Sequence, residues 1–122
     1  MIADLEAGIG TLTRLADERV DAVLVVVEPT PKSIEVGVRA VALAGEKSLG
    51  RVIVVASRIR NDEELATMYR AFPDQEIVAI PDDPAIVQAD RRGVAPLDLA
   101  PDAPAVQALC ALARSLLPVP AT

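Results

Sequence analysis

Residues 20–31 read VDAVLVVVEPTP, and this stretch decides the fold. Its centre, Ala22–Val27, is an unbroken apolar run rich in β-branched residues. Polar residues do not alternate with apolar ones within this run, which predicts a strand buried on both faces, as in a parallel sheet. Thr30 followed by Pro31 is typical of a helix N-cap and first turn. A strand that leads directly into a helix is the repeating unit of α/β proteins.

The same unit recurs along the chain. Apolar runs at 52–56 and 77–80 predict two more buried strands. Helices are predicted at about 5–18, 30–50, 61–73, 83–92 and from about 102, with Pro-rich sequence at 94–104 and a flexible tail at 118–122. Asn61 with Glu64 resembles a capping box at the start of the helix at 61–73. The predicted buried stripes of these helices are Ile9, Leu12, Leu15 and Ala16; Ile34, Val38, Val41, Ala42 and Gly45; Leu65, Met68, Tyr69 and Phe72; and Val106, Leu109, Cys110, Ala113, Leu116 and Leu117. We expect a parallel sheet of three to four strands with helices on both faces, and Val25, Val54 and Leu109 in its core.

Composition narrows the class of function. The 122 residues suffice for one domain, 1–122, with one core. The net charge of −6 argues against binding to nucleic acid or to an anionic membrane. The chain has no histidine, which removes His-based acid–base chemistry and His metal sites, and a single cysteine, Cys110, best explained as a core residue. Acidic Asp4 and Glu6 stand where a signal peptide carries basic residues, so we expect a cytoplasmic protein.

Polar residues gather where the predicted strands end. These segments are Glu28-Pro29-Thr30, Ser57-Arg58 and Pro81-Asp82-Asp83, with Asp4 near the start of the chain. Taken singly, each is explained as a helix N-cap. Together they would line the rim where parallel sheets bind ligands, which suits a nucleotide or a small anion. The 122 residues contain no Gly-x-x-x-x-Gly-Lys-Ser/Thr motif to cradle phosphate, and Gly8-Ile9-Gly10 lacks the third glycine of a dinucleotide site.

A family resemblance runs through these motifs. Residues 4–12, DLEAGIGTL, resemble the D-M-E-A-G-I-E-H-L segment of the CooC-type ATPases, in the MinD/ParA-like branch of P-loop NTPases. Some members of that family mature nickel enzymes such as carbon monoxide dehydrogenase. The resemblance continues in order through residues 20–30 (a strand ending in E-P-S in the family), 54–60 (V-V-x-N-K-V-R), 80–83 (I-P-x-D) and 87–97 (A-D-x-x-G-x-x-P).

The resemblance implies the second half of a larger nucleotide-binding domain with a partial P-loop NTPase (Rossmann-like) fold. It assigns Asp4 to the acid near the Mg²⁺ of bound ATP and Gly8 to the switch region that senses the γ-phosphate. Ser57 with Arg58, and Pro81 with Asp82, would flank the adenine. Two positions depart from the family pattern. Ser57 replaces an asparagine whose paired contact with adenine a hydroxyl cannot reproduce, and Gly10-Thr11 replace Glu-His.

Two functions of different classes follow. The first is the C-terminal half of an ATP-binding protein, which takes ATP and Mg²⁺ only when a P-loop half is supplied and is not hydrolytic by itself. Its expected partners are a second copy or that complementary half, with a metalloenzyme client in some relatives. The second is a non-catalytic α/β interaction module. A receiver-type domain ranks third, because the strand 22–27 ends in Glu28 and not in Asp.

The resemblance also bears on the state of association. It implies that the P-loop strand normally lies between a strand ending at Asp4 and the strand Ala22–Val27, and Ile2-Ala3 looks like the end of a longer strand. Without the P-loop strand, the edge of the apolar run 22–27 carries no Pro or Lys to guard it. We therefore expect a chain that dimerises, aggregates, or folds fully only with the complementary half.

Overall fold

The structure, a computed structural model, describes residues 22–46 and 51–116. In these two ranges, strands and helices alternate from β1 to α3, and two further helices follow. The elements are β1 (Ala22–Val27), α1 (Pro31–Glu46), β2 (Arg51–Ile59), α2 (Asp62–Ala71), β3 (Glu76–Pro81), α3 (Pro84–Arg92), α4 (Pro96–Leu99) and α5 (Pro104–Leu116). The predicted helix at 5–18, the site residues Asp4 and Gly8, and the predicted tail at 118–122 lie outside the described residues.

The described strands form one parallel sheet in the order β1-β2-β3. Val25 pairs with Val54, and Val54 pairs with Ile77. Because the strands run in parallel, their carboxyl ends meet at one edge of the sheet. The predicted fold class, α/β with a parallel sheet and helices on both faces, is confirmed. The fourth strand that the sequence left open is not among the described elements.

One face of the sheet packs against α1 and α2. The buried residues of this first core layer include Val25, Val27, Val54, Ala56, Ile59, Met68 and Phe72. Gly37 lets α1 approach closely, since a Cβ at that position would lie 2.6 Å from Val27 Cγ2. The predicted core residues Val25 and Val54 are confirmed, with 9% and 0% of their surface exposed.

The opposite face packs against α5. This second core layer is smaller and contains Ile53, Val55, Ile80, Ala105 and Leu112. On this face α5 packs mainly against β3, which lies on the far side of the described sheet from β1. As a result, the prediction that β1 is buried on both faces is wrong. Leu24 and Val26 point away from α1 and are 42% and 65% exposed.

The helix stripes were predicted with partial success. On α5 the predicted core residue Leu109 is 42% exposed, whereas Ala105 and Leu112 are buried. The predicted stripe included Leu109 and Ala113, but the helix turns the face that carries Ala105, Ala108 and Leu112 to the sheet. Predicted stripe residues that are instead exposed are Val38, Ala42, Gly45, Tyr69, Ala113 and Leu116. Leu117 lies outside the described residues, and the Pro-rich segment contains the short helix α4.

Candidate functional site: the rim of the sheet

The carboxyl ends of the three strands surround a shallow depression of about 170 Å³. Each strand contributes to its wall, and the lining residues are Glu28, Pro29, Thr30, Arg58, Arg60 and Asp82. The structure thus brings together two of the residues predicted to bind the base, Arg58 and Asp82. Ser57 and Pro81, predicted with them, are half-buried neighbours in the chain that do not line the depression.

Hydrogen bonds fix the loop after β1. The backbone N–H of Glu28 donates to Ser33 Oγ at 2.9 Å, and the N–H of Ser33 donates to Thr30 Oγ1 at 3.3 Å. Thr30 is therefore the predicted N-cap of α1, and its carbonyl accepts from Ile34 at 2.9 Å. Glu28 and Thr30 are held in this way at the first turn of a helix.

The loop after β3 is fixed by a carboxylate that serves two helices. Asp83 Oδ1 accepts from the N–H of Ala85 at 2.9 Å and caps α3, as predicted. Asp83 Oδ2 accepts from the N–H of Ala105 at 3.2 Å in the first turn of α5. The preceding residue, Asp82, donates its N–H to the carbonyl of Ile59 at 3.0 Å, which ties the loop to the end of β2.

The end of β2 contains a β-bulge. Ala56 pairs with Ala79 and Ile59 pairs with Pro81, so β2 advances three residues while β3 advances two. In a regular strand alternate side chains share a face, and Arg58 would follow Val54 and Ala56 into the first core layer. Instead Ile59 lies in that layer. The extra residue reverses the alternation and turns Arg58 out to the rim.

Arg58 accommodates the bulge in a left-handed backbone conformation. Its φ is 60°, and no other non-glycine residue in the described ranges has a positive φ. This conformation costs an ordinary L-residue about 1–2 kcal/mol. Sequence reasoning missed the bulge, since the run VVASRI carries no glycine to mark it.

Opposite charges face each other across the depression. Arg58 Nη1 lies 3.8 Å from Glu28 Oε1, and Arg58 Nε lies 3.6 Å from Asp82 Oδ1. Both distances exceed a direct hydrogen bond, and the Arg58 side chain is 63% exposed. Each ion pair therefore adds little to global stability. Its local consequence is that one guanidinium lies between the ends of β1 and β3.

Arg60, the second arginine that lines the depression, is hydrogen-bonded to Glu64 of α2. Glu64 Oε2 accepts from Arg60 Nη2 at 2.9 Å, and Glu64 Oε1 accepts from the Arg60 backbone N–H at 2.8 Å. These two bonds lower the pKa of Glu64, and the side-chain bond raises the pKa of Arg60. The sequence predicted a capping box between Asn61 and Glu64. Asn61 Oδ1 does accept from the Glu64 N–H at 2.8 Å, but the Glu64 carboxylate reaches Arg60 in place of the Asn61 backbone.

The side chains that line the rim are hydrogen-bond donors and acceptors. Guanidinium and hydroxyl groups donate hydrogen bonds, and the carboxylates of Glu28 and Asp82 accept them. Such a set suits the polar edge of a heterocycle or a sugar. In residues 22–46 and 51–116, no group of three or more His, Cys, Asp or Glu side chains is placed to hold a metal ion. The predicted metal ligand, Asp4, lies outside that part of the chain.

Two known proteins are similar to this chain in sequence. An ATP-binding protein of Methanocaldococcus jannaschii is 30% identical over 122 residues, which cover 96% of this chain and 46% of the relative. The carbon monoxide dehydrogenase accessory protein CooC of Rhodospirillum rubrum is 28% identical over 102 residues, which cover 83% of this chain and 39% of that protein. No protein-family model matches the sequence.

A comparison of structures supports the sequence similarities. The cell division protein MinD of Aquifex aeolicus superposes with a TM-score of 0.66 at 26% identity, over 88% of this chain and 48% of MinD. The chain is homologous to part of a MinD/CooC-like ATPase. It spans 46%, 39% and 48% of the lengths of these three relatives, respectively. The resemblance to the second half of a MinD/CooC-like P-loop ATPase is confirmed.

A second superposition agrees with the first. MinD in the MinC:MinD cell division complex of Aquifex aeolicus gives a TM-score of 0.65 at 27% identity, over 84% of this chain. The MinD structures thus share the α/β fold of this chain over most of its length. Among the helices within residues 22–46 and 51–116, none is long and apolar enough to cross a membrane.

Proposed function

We propose that this chain forms the base-binding side of a nucleotide site in a MinD/CooC-like ATP-binding protein. The observation that carries the proposal is the convergence of Arg58 and Asp82, from the ends of β2 and β3, on one depression. Both residues belong to the motifs that resemble the family's adenine-flanking segments. The hydrogen-bonding character of the depression is suited to the edge of a base.

The remaining binding roles rest on the resemblance. Ser57 and Pro81 are proposed to flank the base beside Arg58 and Asp82, with the Ser57 hydroxyl making a weaker contact than the family's asparagine. Asp4 is proposed to lie near the Mg²⁺ of ATP, and Gly8 in the segment that responds to the γ-phosphate. ATP and Mg²⁺ would bind fully when a P-loop half is supplied.

The chain is not expected to hydrolyse ATP by itself. In P-loop NTPases the glycine-rich backbone, its lysine and the Mg²⁺-binding hydroxyl provide most of the phosphate recognition and transition-state stabilisation. No Walker A motif occurs in the 122 residues. The proposed partners are therefore a complementary P-loop half or a second copy of the chain. A metalloenzyme client is a further proposal, from the name of the CooC relative.

An NMR titration of the chain with adenosine, AMP and ATP–Mg²⁺ tests the proposal. If the chain supplies the base side alone, the three ligands should bind with similar, millimolar affinity and shift the amides of Ser57, Arg58 and Asp82. Guanosine is the matched control ligand. Calorimetry that finds micromolar affinity for ATP–Mg²⁺ would contradict the assignment of phosphate recognition to another half. Shifts confined to other surfaces would contradict the base site.

A second function is favoured by one observation, the exposure of Leu24 and Val26 on β1. An exposed apolar sheet face, on the outer strand of the described sheet, is suited to contact with another chain, as expected of a non-catalytic interaction module. Size-exclusion chromatography with light scattering separates the cases. Folding only with a P-loop half agrees with the first proposal. A monodisperse 12.8 kDa species with a cooperative thermal transition and no nucleoside binding favours the module.

A further inference from the structure

Arg58 connects two walls of the depression that the sheet itself does not join. β1 and β3 are separated by β2, so no backbone ladder links their ends. Glu28 follows β1 and Asp82 follows β3, and the Arg58 guanidinium lies between their carboxylates at 3.8 and 3.6 Å. The spacing of the two carboxylates across the depression is therefore coupled to this one side chain.

The backbone at position 58 favours glycine. The left-handed conformation, with φ of 60°, is free of steric cost for glycine and unfavourable for arginine. A glycine would preserve the bulge and keep Ile59 in the core. What arginine adds is the guanidinium between Glu28 and Asp82, and strained residues of this kind cluster at ligand-binding sites.

We propose that Arg58 is a positioning residue, which sets the separation of the Glu28 and Asp82 carboxylates and so the width of the depression that receives the base. It acts through these two carboxylates, in addition to flanking the base as proposed above. The part of this inference that concerns the base rests on the function proposed above. The part that concerns the two loops is independent of any ligand.

Two single variants and their combination test the inference. Arg58→Gly removes the guanidinium and relieves the backbone, and Glu28→Gln removes one ion pair while Arg58 remains. Arg39→Gln is the matched control, because Arg39 also forms an exposed ion pair, with Glu35 at 2.7 Å on α1, outside the depression. Arg58→Asn serves as a second variant should Arg58→Gly fail to fold, since asparagine tolerates the left-handed region.

The first readout is hydrogen exchange in the ligand-free protein. The N–H of Glu28 is bonded to Ser33, and the N–H of Asp82 is bonded to Ile59, so both amides report on the loops. Both should exchange faster in Arg58→Gly, with a thermal midpoint equal to or above that of the wild type. Arg39→Gln should leave both amides unchanged. Unchanged exchange of both amides in Arg58→Gly would overturn the inference.

The second readout is the affinity for adenosine. A positioning role predicts that Arg58→Gly and Glu28→Gln each weaken binding about threefold to tenfold, and that the double variant is no weaker than Arg58→Gly alone. If Arg58→Gly weakens binding while Glu28→Gln has no effect, Arg58 acts only by contact with the ligand and the inference is wrong. If the wild type binds no adenosine, the proposed function fails, and hydrogen exchange alone decides the role of Arg58.

Discussion

The carboxylate of Asp83 is the contact whose removal tests the structure most directly. Its two oxygens accept from Ala85 at 2.9 Å and from Ala105 at 3.2 Å, so one side chain caps α3 and also binds the first turn of α5. Loss of an N-cap to alanine typically costs ~1 kcal/mol. Loss of the second, partly buried bond adds ~0.5–1.5 kcal/mol. We expect Asp83→Ala to lower the free energy of unfolding by about 1.5–2.5 kcal/mol.

The matched control is Asn61→Ala. Asn61 caps α2 through a single bond, from the Glu64 N–H at 2.8 Å, and its loss should cost ~1 kcal/mol. Urea unfolding followed by circular dichroism measures both variants on one scale. Asp83→Asn, which retains one acceptor oxygen, should fall between Asp83→Ala and the wild type. If Asp83→Ala costs no more than Asn61→Ala, the carboxylate does not serve two helices and the reasoning is refuted.

Three further predictions are checked by the same urea unfolding. Gly37→Ala should destabilise the chain by ~1–3 kcal/mol through overpacking, whereas Gly45→Ala, with nothing within 4 Å of the new Cβ, should stabilise it by ~0.5–1 kcal/mol. Leu112→Ala should cost ~2–5 kcal/mol and Leu109→Ala under ~1 kcal/mol, and equal costs would contradict the orientation of α5. Hydrogen bonding to Arg51 lowers the pKa of Glu76. The stabilising effect of the Glu76 carboxylate should therefore be present above its unfolded-state pKa and be lost as the pH falls through its folded-state pKa. The difference between wild type and Glu76→Gln should therefore be largest near neutral pH, and a constant difference down to pH 2 would contradict the ion pair.

Local signals made much of the fold predictable. The caps at Thr30, Asn61 and Asp83 were found in the sequence because an N-cap depends on a few consecutive residues. The three strands were found because β-branched apolar runs are short and bounded by polar residues. The rim followed from topology, since parallel strands bring Arg58 and Asp82 to one edge wherever the exact strand ends lie.

The errors have a non-local origin. The orientation of α5 depends on its packing against β3. Leu109 and Leu112 are equally hydrophobic, yet only Leu112 faces the sheet. The exposure of Val26 depends on whether a helix packs over β1 on that face of the sheet. The sequence of β1 itself does not determine which helix packs over it. Arg60 was not predicted in the depression because its position follows from the bulge two residues before it.

The bulge also shows how folding and binding are balanced at the rim. Burial of Ile59 in the first core layer contributes ~1.5–3 kcal/mol, which offsets the ~1–2 kcal/mol cost of a left-handed Arg58. Folding can therefore sustain the bulge, but it would sustain it better with glycine at position 58. The exposed ion pairs of Arg58 recover at most ~1 kcal/mol each. Since stability gives arginine no clear advantage over glycine there, the guanidinium between Glu28 and Asp82 agrees with the positioning role proposed for Arg58.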